Sequence, residues 1–132
     1  LVDRADCVLV DAPCSGTGAW RRSPDARWRL TRQLLDEYCA AQAEVLARGA
    51  RLVRPGGRLV YITCSLLPCE NEHRIGAFLG LNDNFAVVPP AELWPHDIAL
   101  PSAGSDGYLR LTPSSTGTDG FFVAILRRED RP

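Results

Sequence analysis

Two cysteines in this chain lie just beyond short apolar runs: Cys14 after residues 7–10 (Cys-Val-Leu-Val) and Cys64 after residues 58–62 (Arg-Leu-Val-Tyr-Ile). A thiolate can attack an electron-poor carbon and later leave it, provided that its sulfur is exposed and its pKa lowered. Asp11 adds an acid at the end of the first run, where burying a carboxylate is costly unless it is paired or hydrogen-bonded. Each of these residues also has a plainer reading. Cysteine is among the most commonly buried residue types, and an aspartate at such a place can simply cap or close a turn. Close behind Cys14, the residues Trp20, Arg21, Arg22, Arg27, Trp28 and Arg29 interleave cations with aromatics. Such a set can hold phosphates and stack bases, or form a solvated loop with aromatic anchors.

The elements that must position these residues are legible in outline. The run at 7–10 reads as a buried strand closed by a turn rich in Pro and Gly. Residues 19–30 show no regular period and read as a surface loop. Thr31 is suited to cap a helix reaching to about residue 48 or 52, with Leu34, Leu35, Tyr38, Cys39, Val45, Leu46 and Leu52 forming its apolar stripe. Arg54, Pro55, Gly56 and Gly57 are expected to end that segment in a turn. Residues 59–62 then read as a strand buried on both faces of a parallel sheet, completing a right-handed βαβ unit. A second helix is expected over 70–81, with Ile75, Phe78 and Leu79 inward. Strands follow at 85–88 and 120–126, and a short one at 108–111, with an irregular excursion over 89–107.

Composition sets the bounds. The 132 residues suit one domain, and 45% hydrophobic with 23% charged residues suits a packed core. No apolar run approaches the ~18 residues of a membrane span and no signal-peptide pattern is present, so a soluble, cytoplasmic protein without membrane contact is expected. The net charge of −1 does not announce a nucleic-acid binder, and the 15 basic residues are all arginine. Five cysteines, none in a C-x-x-C pair, predict reduced thiols and no metal site. His73 and His96 stand alone and are expected at the surface. The chain lacks Met and begins only six residues before its first strand, which suggests a piece of a longer protein.

Four blocks identify a family. DAPCSGTG at 11–18, RRSPDARW at 21–28, RPGGRLVYITCSLLPCENE at 54–72 and GTDGFF at 117–122 occur in the order found in the Sun/Nop2 (RsmB-like) RNA cytosine-5 methyltransferases, and the chain resembles the C-terminal part of their catalytic domain. The resemblance covers most of residues 6–81 and 107–128. It implies an α/β fold of partial Rossmann-like, class I methyltransferase type. The strands here would be the last four of a seven-stranded mixed sheet, the final one inserted antiparallel between the two before it. Residues 1–132 would then be a C-terminal fragment lacking the half with the glycine-rich cofactor loop, inactive alone, with an unpaired strand edge beside residues 7–10.

The resemblance further implies S-adenosyl-L-methionine as cofactor and rRNA or tRNA as partner. It makes Cys64 the nucleophile that adds to carbon 6 of cytosine and Cys14 the residue that assists release of the methylated RNA. Asp11 would lie between the cofactor's methionyl end and the base. Pro13 would lie at the same junction, its carbonyl able to read the exocyclic amine. Arg21 and Arg22 are the candidate RNA contacts, and Asp25 orders their loop. Asn71 and Glu72 are expected to cap the second helix while holding the Cys64 loop. Cys7 and Cys39 become core residues and Cys69 incidental. One departure is Ser114 after Pro113, where the family usually carries histidine. Two rivals remain: a methyltransferase for exocyclic amines, which needs no cysteine nucleophile, and a non-catalytic RNA-binding or assembly module on the same fold.

Overall fold

The computed structural model describes residues 1–101 and 106–130. Strand β1 (Ala5–Asp11) pairs in parallel with β2 (Val53–Thr63), and the crossover between them is helix α1 (Arg32–Ala50). Helix α2 (Glu72–Leu81) leads to β3 (Phe85–Val87), and β4 (Leu109–Leu111) and a four-residue helix α3 (Pro113–Thr116) precede β5 (Phe121–Arg128). The last strand lies antiparallel between β2 and β3, giving the order β1-β2-β5-β3, and β4 pairs with the start of β5. The expected mixed sheet with an inserted antiparallel strand is therefore present. Beyond β1, the described residues supply no further strand.

Local chemistry explains the helix boundaries. Thr31 caps α1 as expected, its hydroxyl accepting from the Leu34 N–H at 3.1 Å. The helix ends at Ala50, before the Arg-Pro-Gly-Gly run expected to stop it. Residues 54–57 instead lie within β2 as a bulge: Ala5 pairs with Val53 while Cys7 pairs with Arg58. Gly56 takes φ +76°, a conformation that a side chain disfavours.

One face of the sheet carries the core. Leu59 and Tyr61 of β2, Phe122, Ala124 and Leu126 of β5, and Val10 of β1 pack against Leu46 and Ala50 of α1 and Ile75 and Phe78 of α2. Gly49 lets α1 approach closely, since a Cβ there would come within 2.9 Å of a Val10 methyl. The opposite face differs from the expectation of a strand buried on both sides. Val60, Ile62, Val123 and Ile125 are only half-buried there, and Leu9, in register with Val60, is 64% exposed. Cys7 is likewise exposed rather than core, because no described element covers that side of β1. Cys39 is half-buried, its thiol 3.6 Å from the Cys69 carbonyl.

Candidate active site

The parallel pairing of β1 with β2 brings both cysteine turns to one end of the sheet, the carboxyl end where open α/β sheets bind ligands. Cys14 Sγ and Cys64 Sγ are 3.4 Å apart, both half-buried. Burial, reinforced by the contact with Cys64, pushes the Cys14 thiol up to about 12. Cys14 therefore stays protonated at neutral pH and can donate to the Cys64 sulfur.

The turns themselves are held through the neighbours of the cysteines. Ser15 donates to the buried Glu70 carboxylate twice, from its N–H at 2.8 Å and its hydroxyl at 2.6 Å. The Ser65 hydroxyl donates to the same carboxylate, and Ser65 Oγ accepts from the Leu67 N–H at 3.0 Å. Gln42, fully buried on α1, donates from Nε2 to Glu70 at 3.1 Å and to the Pro13 carbonyl at 2.9 Å. Asn71 secures the other side: it accepts from the Thr63 hydroxyl at 2.6 Å and donates to the Ser65 carbonyl at 2.8 Å. It makes no side-chain cap to α2, so its expected double role reduces to holding the Cys64 loop. Glu72 pairs instead with Arg110 at 3.3 Å.

A third segment closes the site. The Gly18 N–H donates to the Cys64 carbonyl at 2.9 Å, and the Gly120 N–H donates to the Gly18 carbonyl at 2.8 Å. A Cβ on Gly18 would lie 2.7 Å from Gly120 Cα, so only glycine permits this backbone approach. Arg21 and Arg22 both donate to Asp119, Arg21 at 2.7 Å, and together hold its carboxyl below the usual carboxylate range. These arginines thus tie residues 117–120 to the first turn while leaving much of their length exposed. Trp28 is 77% exposed with Arg27 stacked 4.4 Å above its ring.

Of the predicted site residues, Cys14, Cys64, Asp11 and Pro13 come together at one sheet end. Asp11 is exposed at the tip of β1, and its carboxylate has no hydrogen bond or ion pair among the described residues. It is therefore neither a cap nor a buried acid, and faces outward to whatever binds there. Pro13 is exposed too, but its carbonyl already accepts from Gln42, which leaves it one lone pair. Sequence reasoning missed Glu70 and Gln42. A signal for Gln42 was present, because it falls at helical spacing among Tyr38, Cys39, Val45 and Leu46, where a polar residue implies a buried partner.

The family described as 16S rRNA methyltransferase RsmB/F matches residues 1–127. The chain belongs to that family. Among curated relatives it is similar to a probable ribosomal RNA small subunit methyltransferase B of Synechocystis sp., 39% identical over 97% of this chain and 28% of the relative. The ribosomal RNA small subunit methyltransferase B of Klebsiella pneumoniae is 43% identical over 94% of this chain and 26% of its own length. The chain thus spans about a quarter of the length of the RsmB relatives it matches. Among solved structures, the crystal structure of PH0851 superposes with a TM-score of 0.83 at 39% identity, covering 96% of this chain and 27% of that one. NSun6 from Pyrococcus horikoshii, crystallised with SFG, gives 0.73 at 26% identity, covering 93% and 30%. A methyltransferase homolog protein from Pyrococcus horikoshii gives 0.69 at 29% identity, covering 93% of this chain and 39% of that one, and the mixed sheet is a partial Rossmann-like fold of this type.

Proposed function

We propose that this chain carries the cysteine half of the active site of a cytoplasmic, S-adenosylmethionine-dependent methyltransferase that modifies carbon 5 of a cytosine in small-subunit rRNA. The observation that carries the reading is the thiol pair, 3.4 Å apart at the carboxyl ends of two adjacent parallel strands, with the open carboxylate of Asp11 on the same strand end. The names of the RsmB relatives support the rRNA substrate, and SFG, an analogue of S-adenosylmethionine, in the NSun6 crystal supports the cofactor.

The chemistry follows from the ring. Carbon 5 of cytosine is a weak nucleophile until a thiolate adds to carbon 6, which turns the ring into an enamine. Cys64 is the sulfur that adds, as the family resemblance implies, and Cys14, whose thiol is pushed up by burial beside it, serves as the donor of the pair. The Asp11 carboxylate accepts from the exocyclic amine of a base flipped out of its stack, and the free lone pair of the Pro13 carbonyl is a second acceptor for that amine. S-adenosylmethionine supplies the electrophilic methyl group when bound. The exposed, unpartnered Asp11 fits a role beside its methionyl end, where an ammonium group needs an acceptor. After transfer, loss of the carbon 5 proton to a base restores the 5,6 double bond as the carbon 6–sulfur bond breaks. The Cys14 thiol then hydrogen-bonds to the departing Cys64 sulfur and eases release. The exposed parts of Arg21 and Arg22 offer phosphate contacts beside this site.

The test is covalent trapping by the full-length protein on RNA containing 5-fluorocytosine, which cannot lose a proton from carbon 5. A cofactor-dependent adduct absent in Cys64→Ala supports the assignment. Accumulation of adduct on ordinary RNA by Cys14→Ala supports the release role. Methylation that survives in Cys64→Ala would favour an exocyclic-amine enzyme, and RNA binding with neither adduct nor methylation a non-catalytic module.

A further inference from the structure

Glu70 is the one fully buried carboxylate among the described residues, and no cation is paired with it. Burying an acid in this way is unfavourable unless hydrogen bonds replace its water. Four donors do so, and their placement is informative. Oε1 accepts from the Ser15 N–H and Gln42 Nε2, while Oε2 accepts from the hydroxyls of Ser15 and Ser65. Ser15 follows Cys14 and Ser65 follows Cys64, so one carboxylate grips both cysteine turns across a sequence separation of 50 residues. Gln42 extends the grip to Pro13, on the other side of Cys14. The cysteines themselves are left with their sulfurs facing each other.

We infer that Glu70 is a positioning residue for the reaction: its carboxylate, with Gln42 behind it, sets the spacing and orientation of the Cys14–Cys64 pair. This assignment rests on the reading of those two sulfurs as the reacting pair. Acceptance at both oxygens matters as well as shape. All four partners donate, and two of them, a backbone N–H and a side-chain amide already turned towards Pro13, have nothing else to offer. A glutamine at position 70 would present an amide nitrogen to two serine hydroxyls. The Ser65 hydroxyl already accepts from Leu67, and Thr17 Oγ1, its neighbour at 3.3 Å, accepts from the Leu66 N–H. The hydroxyl network would have to turn over, and the two cysteine turns would lose their common anchor.

The experiment uses full-length protein with Glu70→Gln and, as a milder break in the same network, Ser65→Ala. Two readouts are followed: the rate of adduct formation on 5-fluorocytosine RNA, and the pH profile of iodoacetamide alkylation at Cys14 and Cys64, resolved by mass spectrometry. Glu70→Gln is expected to slow adduct formation at least about 10-fold at saturating RNA and cofactor, with RNA affinity unchanged. Its Cys14 alkylation profile should move to lower pH as the pair loosens. Ser65→Ala should move both readouts the same way by about 3-fold. A folded Glu70→Gln protein with wild-type adduct rate and wild-type alkylation profiles would overturn the inference; if that variant fails to fold, unchanged readouts in Ser65→Ala would do so. Absence of adduct in the wild type counts against the methyltransferase reading alone, and the alkylation profiles then still decide the role of Glu70.

Discussion

The cysteine end of the sheet and the flank along β1 are built by the same two strands and yet are opposite in character. At the cysteine end, Ser15, Thr63, Ser65, Glu70 and Asn71 satisfy one another within a few ångströms, three of the partners fully buried. Along β1, by contrast, Cys7 and Leu9 are exposed, and the outer face has apolar side chains with no described cover. The difference shows that the two cysteine turns are held mainly by buried side-chain hydrogen bonds, which are costly to leave unmade. The exposed flank along β1 adds little to stability.

That contrast can be broken or sharpened by substitution. Phe122, whose ring packs 6.4 Å from Tyr61 and 5.2 Å from Tyr108 beneath the site, should show the largest effect. Phe122→Ala is expected to cost about 3–5 kcal/mol in urea unfolding. Gly18→Ala forces a side chain against the Gly120 backbone and is expected to cost about 3 kcal/mol by the same measurement, with loss of adduct formation. Asn71→Ala leaves the Thr63 hydroxyl and the Ser65 carbonyl without their partner, at about 2 kcal/mol.

A pH effect follows from Cys14. Its folded thiol titrates well above the ordinary value of 9.0, so the folded state keeps a proton that the unfolded chain releases first. The stabilisation is fully present below pH 9 and is lost as pH rises from 9 towards about 12. Urea midpoints measured across that window should fall less steeply in Cys14→Ala than in wild type. The smallest change is expected at the flank: Leu9→Ala in the isolated chain should alter stability by no more than about 0.5 kcal/mol. A loss several times larger would show that Leu9 is packed, and would erase the contrast between the two regions.

The positions of both cysteine turns, the Thr31 cap, the inner face of α2 and the antiparallel last strand were legible in the sequence or in its family resemblance. Each depends on local signals: a cap residue, an apolar period, a strand running into a turn. What was not legible depended on pairing across the sheet. The Arg-Pro-Gly-Gly run has the composition of a turn, and only its register against β1 makes it a bulge within β2. Cys7 has the composition of a core position, and only the lack of cover on its side exposes it. Arg21 and Arg22 looked like free cations until Asp119, some 98 residues away, was found between them. Glu70 carried no local mark of importance, because its four donors come from three separate elements.

The place of β5 has a consequence for how the molecule is assembled in time. It is the last strand in sequence yet lies between β2 and β3, and its leading turn supplies Gly120 to Gly18. During synthesis, the βαβ unit and α2 can form early, but β3 has no neighbour to join until residues 121–128 are available. Entry of that strand is therefore a step dominated by contacts distant in sequence, the kind that slows folding. Until that strand enters, Gly18 lacks its Gly120 partner, and the two cysteine turns are joined through Glu70 without the third segment.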